Sequence, residues 1–308
     1  MSLPWQVVLV IYLLVARIIV PVFNKRIASD PYKPRNLLMQ YFLAAILAIS
    51  VAGFFGDFKI RWELGAVVLI GVFNAFACYA YWQAIDISLS KTSLFTQGDD
   101  LITLGLGFLI LGEAKFLTLG LGIGILLCFG AVMLFAYNKW RLAKEDHNNK
   151  VTNRDYKKKS LHLSVWIAIY SIIWGGAVFS MRYFALRGVP VFDYVGAWYI
   201  GAFFGAQIIY WVSEFRRDKK EKVPSYTAAN FKVVARVVVC IYASIVLNVW
   251  LRNLAPIAKI QPIDQVAEMI FPMVIGLYVF KEIKQVDWLS GVAMLIGIVG
   301  GLLIAFSY

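Results

Sequence analysis

Asp99 and Asp100 stand side by side in FTQGDDLITLG, residues 95–105, in a run with no other charge from Thr92 to Gly112. A carboxylate at the centre of a bilayer costs roughly 2.5–3.5 kcal/mol even on the lenient insertion scale. At helical spacing Thr96, Asp99 and Thr103 share one face, and Ser93, Gln97 and Asp100 share the next. A second polar stripe, Gln261, Asp264, Gln265 and Glu268, runs up to Pro272. Neither stripe can face lipid, because carboxylates in hydrocarbon need partners or water, so both point into a helix bundle. Two readings follow. Asp99, Asp100, Glu268 and Asp264, with Gln97 and Gln265, form a cavity for cations or protons. Alternatively, they form a structural seam paired to Arg17, Arg182, Arg236 or Arg252.

Aromatic residues accompany the acidic stripes. Tyr79, Tyr81 and Trp82 end one apolar run, and Trp174, Trp198, Tyr199, Tyr242 and Trp250 fall in others. Aromatic faces beside carboxylates suit an organic cation, at ~0.5–2 kcal/mol per cation–π contact. Tyr12 and Trp174 lie deep in their runs and line either a cavity or a packed core. Trp82, Trp140, Trp211 and Trp250 fit an interfacial belt.

Other chemistries lack their parts. The cysteines, Cys78, Cys128 and Cys240, are odd in number, far apart and without a CxxC pair, so neither a disulfide nor a metal site is expected. His147 and His162 fall in or beside a basic loop, which leaves no Ser/His/Asp or Cys/His set and no enzyme. GLGIG at 120–124 lacks the Lys–Ser/Thr of a phosphate loop and reads as close helix packing, as do Gly291, Gly297, Gly300 and Gly301. No cofactor is implied.

The elements that must position these residues are membrane helices. The chain has 308 residues, 61% of them hydrophobic and 16% charged, with a formal charge of +12. So much apolar surface fits a polytopic membrane protein and not a soluble domain. Apolar runs predict ten spans near 4–23, 36–56, 62–86, 89–112, 115–138, 161–181, 191–213, 233–254, 258–280 and 286–307. The N-terminus lacks a basic region and a cleavage pattern, so the first span is expected to be retained. A basic stretch at 139–160 separates residues 1–138 from 161–308, five spans on each side. The Lys and Arg crowd into alternate loops, a topology signal that excludes a nucleic-acid partner. Their roughly threefold bias places the central loop in the cytoplasm and both termini outside.

Five spans on each side suggest a repeat. A shift of ~169 positions lays LILGE (109–113) on YVFKE (278–282) and matches Gly107 with Gly276, Gly122 with Gly291, and Asp99 with Glu268. An odd number of spans per repeat inverts one half relative to the other, which favours a substrate path at the repeat interface. Glu113 and Glu282, closing the fourth and ninth spans, suit helix-end interactions. The L-G-E ending, the glycine-rich last helix and IWGGAVFSMRYFAL (173–186) resemble the EamA repeat of the drug/metabolite transporter superfamily. The resemblance implies an all-α membrane protein of ten transmembrane helices in two five-helix inverted repeats, with both termini in the cytoplasm. It also implies a multi-pass transporter of the cell membrane whose partners are a small-molecule substrate and lipid, with a homodimer left open. The expected activity is secondary transport or export of a small cationic or zwitterionic metabolite or drug, coupled to protons through the mid-membrane carboxylates. A lipid-linked or headgroup flippase and a non-transporting interaction protein are the alternatives.

Overall fold

The computed structural model describes residues 4–30, 32–56, 61–145, 153–216, 228–281 and 288–306, and these are helical with no strand among them. In chain order the helices are α1 Trp5–Ala28, α2 Lys33–Phe55 and α3 Trp62–Ile87. Next come the short α4 Leu89–Phe95 and α5 Gln97–Ile110, then α6 Leu119–Glu145 and α7 Asn153–Leu186. The remaining helices are α8 Val191–Arg216, α9 Ala228–Leu254, α10 Ile257–Val279 and α11 Trp288–Phe306. All of α1, α2, α3, α8 and α10, with His162–Leu186 of α7 and Phe231–Leu254 of α9, are long and apolar enough to cross a bilayer, seven candidate spans among the described residues. Shorter apolar stretches run over Leu119–Ala131 in α6 and Gly291–Leu303 in α11. These are the helices of a multi-pass membrane protein.

Three expectations change. The span expected at 89–112 is interrupted at Thr96. There Thr92 Oγ1 donates back to the Ser88 carbonyl at 2.6 Å, Ser93 Oγ to the Ser90 carbonyl at 3.0 Å, and Thr96 Oγ1 to the Ser93 carbonyl at 3.2 Å. Hydroxyls that bond back to the preceding turn bend a helix, and three in succession break this one. Next, the basic stretch expected as a loop at 139–160 is largely helical, since α6 runs on to Glu145 and α7 starts at Asn153, while His147 lies outside the described residues. Polar helix formers extend a membrane helix past the apolar run that hydropathy detects. Finally, α1 carries a π-helical turn at Leu14–Ile19 just before Pro21, and α10 ends in another at Ile275–Val279 just after Pro272. Proline has no N–H and crowds the carbonyl four residues earlier, which for Pro21 is the Arg17 carbonyl inside the widened turn.

The chain divides into two compact units, each drawing on both halves of the sequence. Unit one is Met1–Trp82 with Ala177–Ala255, and unit two is Gln83–Gly176 with Pro256–Tyr308. In unit one α3 and α8 approach backbone to backbone. A Cβ at Gly71 would overlap the Trp198 carbonyl, one at Gly201 the Val68 carbonyl, and one at Gly205 the Val72 carbonyl. Small residues at such a seam are how helices pack closely in lipid, where no expulsion of water drives them together. In unit two α6 and α11 form the matching seam. A Cβ at Gly300 would lie 2.9 Å from the Gly124 carbonyl, and Cys128 Sγ donates to the Gly297 carbonyl at 3.7 Å. The three cysteines form no disulfide.

The turns after α5 and α10 share an unusual backbone. Gly112 has φ +65° and Lys281 has φ +58°, the left-handed conformation that closes many helices. Glycine adopts it freely, whereas lysine does so at a cost.

Candidate functional site

The break at Thr96 puts Asp99 and Asp100 in the first turn of α5, where the helix dipole favours negative charge. Both are buried, at 2% and 0% exposure, and so is Glu268 of α10, at 4%. One oxygen from each of Asp99, Asp100 and Glu268 lies within 4.8 Å of the other two. Gln261, about two turns before Glu268 on α10, donates through Nε2 to Asp100 Oδ1 and ties the two helices together. Asp264 and Gln265, one turn before Glu268, are also buried. Pro272 removes the ordinary helical donor to the Glu268 carbonyl, which makes the backbone here more polar than regular helix.

Three carboxylates this close repel one another when all are ionised, so the cluster suits a proton shared among them or a cation among them. An all-oxygen set whose members span no more than 4.8 Å also matches the ligands of a hard metal ion, whose metal–oxygen distances are about 2.3–2.6 Å for calcium. Asp99, Asp100 and Glu268 are the residues that could hold one.

A third helix completes the site. A Cβ at Gly175 of α7 would lie 2.7 Å from the Asp99 carbonyl and 2.8 Å from Ile102 Cβ, so glycine is what lets α7 reach the α5 backbone. Thr103 Oγ1 lies 3.0 Å from the Gly175 carbonyl and 2.8 Å from that of Asp99, binding α5 and α7 at the same level. Ser171, buried one turn earlier, packs against Gly98. Trp174 stacks on Tyr170, with ring centroids 6.2 Å apart and an interplanar angle of 15°. The sequence reading passed over Ser171 and the packing role of Gly175. The signal for the latter lay in WGG, a glycine pair deep in an apolar run.

Of the residues expected at the site, Asp99, Asp100 and Glu268 come together, with Asp264 and Gln265 on the same turns of α10. The side chain of Gln97 lies outside what the structure describes. Tyr12 and Tyr79 belong to unit one, where Tyr12 is buried and the Arg17 guanidinium sits 5.8 Å from its ring centre. Arg182 and Arg252, considered as partners for the carboxylates, make hydrogen bonds within unit one. Arg182 Nη1 donates to the Arg252 carbonyl at 2.7 Å, and Arg252 Nε donates to Asn248 Oδ1 at 3.1 Å. Glu113 acts at a helix end, where Oε2 accepts the Ala258 N–H at 3.2 Å in the first turn of α10. Glu282 lies outside the described residues.

No family model matches the chain, and no curated protein matches it. Twelve chains of solved structure do match. One of them, described only as the crystal structure of a protein, superposes with a TM-score of 0.62 at 15% identity, covering 98% of this chain and 96% of that one. At that identity the likeness extends to the fold, and the fold is shared over nearly the full length of both chains.

Proposed function

We propose that this chain is a secondary transporter of the EamA type within the drug/metabolite transporter superfamily. In this reading it has ten helices in two inverted five-helix repeats, sits in the cell membrane and is not an enzyme. It carries a small cationic or zwitterionic metabolite or drug. The observation that carries the reading is the buried set of Asp99, Asp100 and Glu268, three carboxylate oxygens within 4.8 Å of one another on helices of a membrane protein. Such a set is costly unless positive charge or a shared proton offsets it. A proton leaves the cluster when a cationic substrate enters and returns when the substrate departs, so one site alternates between two positive ligands.

The repeat has its own support. The left-handed residues Gly112 and Lys281 are 169 positions apart, as are the helix ends Ile110 and Val279. Cys128 and Gly297, equivalent at this offset, touch each other, and the Asp99 and Glu268 carboxylates, also equivalent, lie within 4.8 Å. Equivalent residues meet only beside a two-fold axis, and an inverted repeat places that axis in the membrane plane, where transporter sites lie. The test is transport in sealed vesicles carrying a pH gradient, with an amine selected by thermal shift of the purified protein. Asp99→Asn and Glu268→Gln are expected to remain folded and lose gradient-driven uptake. Full pH-coupled uptake by the double variant would overturn the mechanism, and loss of folded protein in both single variants would favour a structural ion-paired seam.

A further inference from the structure

The acidic cluster of unit two has a neighbour that a shared proton does not account for. Gln261 is 2% exposed, and its Nε2 donates to Asp100 Oδ1. Its Oε1 sits on the same amide carbon, so it stands at the carboxylates as well. Among the described residues Gln261 Oε1 has no hydrogen-bond partner. A buried amide oxygen without a donor is rare, because it costs about what a lost hydrogen bond costs and hydrocarbon supplies no water in compensation. A proton passed among Asp99, Asp100 and Glu268 lowers their mutual repulsion but leaves this oxygen as it was. A cation satisfies the carboxylates and the amide oxygen together.

Size and charge narrow the choice of ion. One oxygen from each carboxylate lies within 4.8 Å of the other two, and ligands on opposite sides of a calcium ion are separated by two bonds of about 2.3–2.6 Å. Such an ion takes the space between the oxygens and needs no water-sized hollow. Three carboxylates offer six oxygens and Gln261 a seventh, inside the range of about six to eight that calcium takes. Calcium also tolerates irregular geometry and carboxylates that bind through one oxygen or two. Magnesium demands a near-ideal octahedron and keeps several waters, for which four residues no more than 4% exposed leave little room. A divalent ion and one retained proton neutralise three carboxylates, whereas a monovalent ion in its place leaves one charge in hydrocarbon.

We infer that Asp99, Asp100, Glu268 and Gln261 bind a divalent cation of calcium size, with Gln261 Oε1 as the neutral ligand beside three carboxylates. This goes beyond the transporter reading and does not rest on it, since the ion is held whether or not a substrate moves.

The experiment uses the full chain, stripped with a chelator, in nanodiscs of phosphatidylcholine, which carries no net charge to gather calcium. Calcium chloride and magnesium chloride are the probes, at constant ionic strength. Titration calorimetry and thermal shift should show saturable stabilisation by calcium at one ion per chain, with magnesium at least tenfold weaker. The double variant Asp99→Asn/Glu268→Gln should lose the calcium shift. Gln261→Leu should weaken calcium tenfold or more. Gln261→Glu keeps an oxygen ligand and adds charge, so it should be less stable without calcium yet bind calcium at least as tightly as the natural chain. The inference is overturned if calcium gives no saturable shift, if magnesium matches it, or if the double variant binds calcium unchanged. It is overturned equally if Gln261→Leu keeps full affinity, or if Gln261→Glu loses calcium as Gln261→Leu does, since the amide would then serve only to hold Asp100. None of these readouts involves transport, so their failure leaves pH-driven amine uptake to stand or fall by its own assay.

Discussion

Asp99 and Asp100 show where helical geometry read from sequence falls short. Neighbouring side chains on a regular helix diverge by ~100°, which assigns Asp100 a lesser role than Asp99. In the structure both carboxylates belong to one cluster, and Asp100 is the one tied to Gln261. The break at Thr96 starts α5 at Gln97, so both carboxylates stand in its first turn. Asp100→Asn is therefore expected to match Asp99→Asn in the transport assay. The glycine pair of α7 gives a test of packing at this site. Gly175 sits against the Asp99 carbonyl, whereas a Cβ at Gly176 would meet nothing within 4 Å. Gly175→Ala should cost about 1–3 kcal/mol through overpacking. Gly176→Ala should be neutral or slightly stabilising, since alanine is the better helix former. Thermal unfolding of the two variants side by side checks this, and equal effects would show that α7 does not press on α5 as described.

At the scale of the element, the informative pieces are the ends and breaks of helices. Apolar runs made the long spans legible, because hydropathy reports length directly. The interruption of the fourth run was not legible in that way. Its cause is a series of serine and threonine hydroxyls bonding back to carbonyls, and a hydropathy window counts those residues only as mildly polar. The L-G-E and F-K-E endings could be aligned by eye, yet only the backbone shows that Gly112 and Lys281 adopt the same left-handed turn. That turn sets up opposite effects for two substitutions. Lys281→Gly should raise stability by ~1 kcal/mol by removing the steric cost of a Cβ at positive φ, and Gly112→Ala should lower it by a similar amount. Chemical denaturation of both variants measures the pair, and a destabilised Lys281→Gly would show that the lysine side chain does more there than the backbone loses.

For the molecule as a whole, the acidic cluster was legible because charge inside an apolar run is rare enough to notice. The burial of Gln40 in α2 and Asn74 in α3 was not, since a lone polar residue in an apolar run gives no pattern until the helices are packed. Orientation is a property of the entire chain. The loop charges place both termini outside, and the resemblance to EamA transporters places them in the cytoplasm. A reporter fused after Tyr308 is expected to behave as extracytoplasmic and one inserted near Asn148 as cytoplasmic, and the reverse pattern would show that loop charge does not set the topology. The glycine seam between α3 and α8 bears on how the folded protein responds to temperature. Where backbones touch at Gly71, Gly201 and Gly205, attraction comes from dispersion and from Cα–H···O contacts to the facing carbonyls, not from displaced water. Separating those surfaces in lipid exposes no new area to water and so carries little of the heat-capacity change that curves the stability of soluble proteins. Cooling, which weakens a hydrophobic core, leaves a seam of this kind as tight as before.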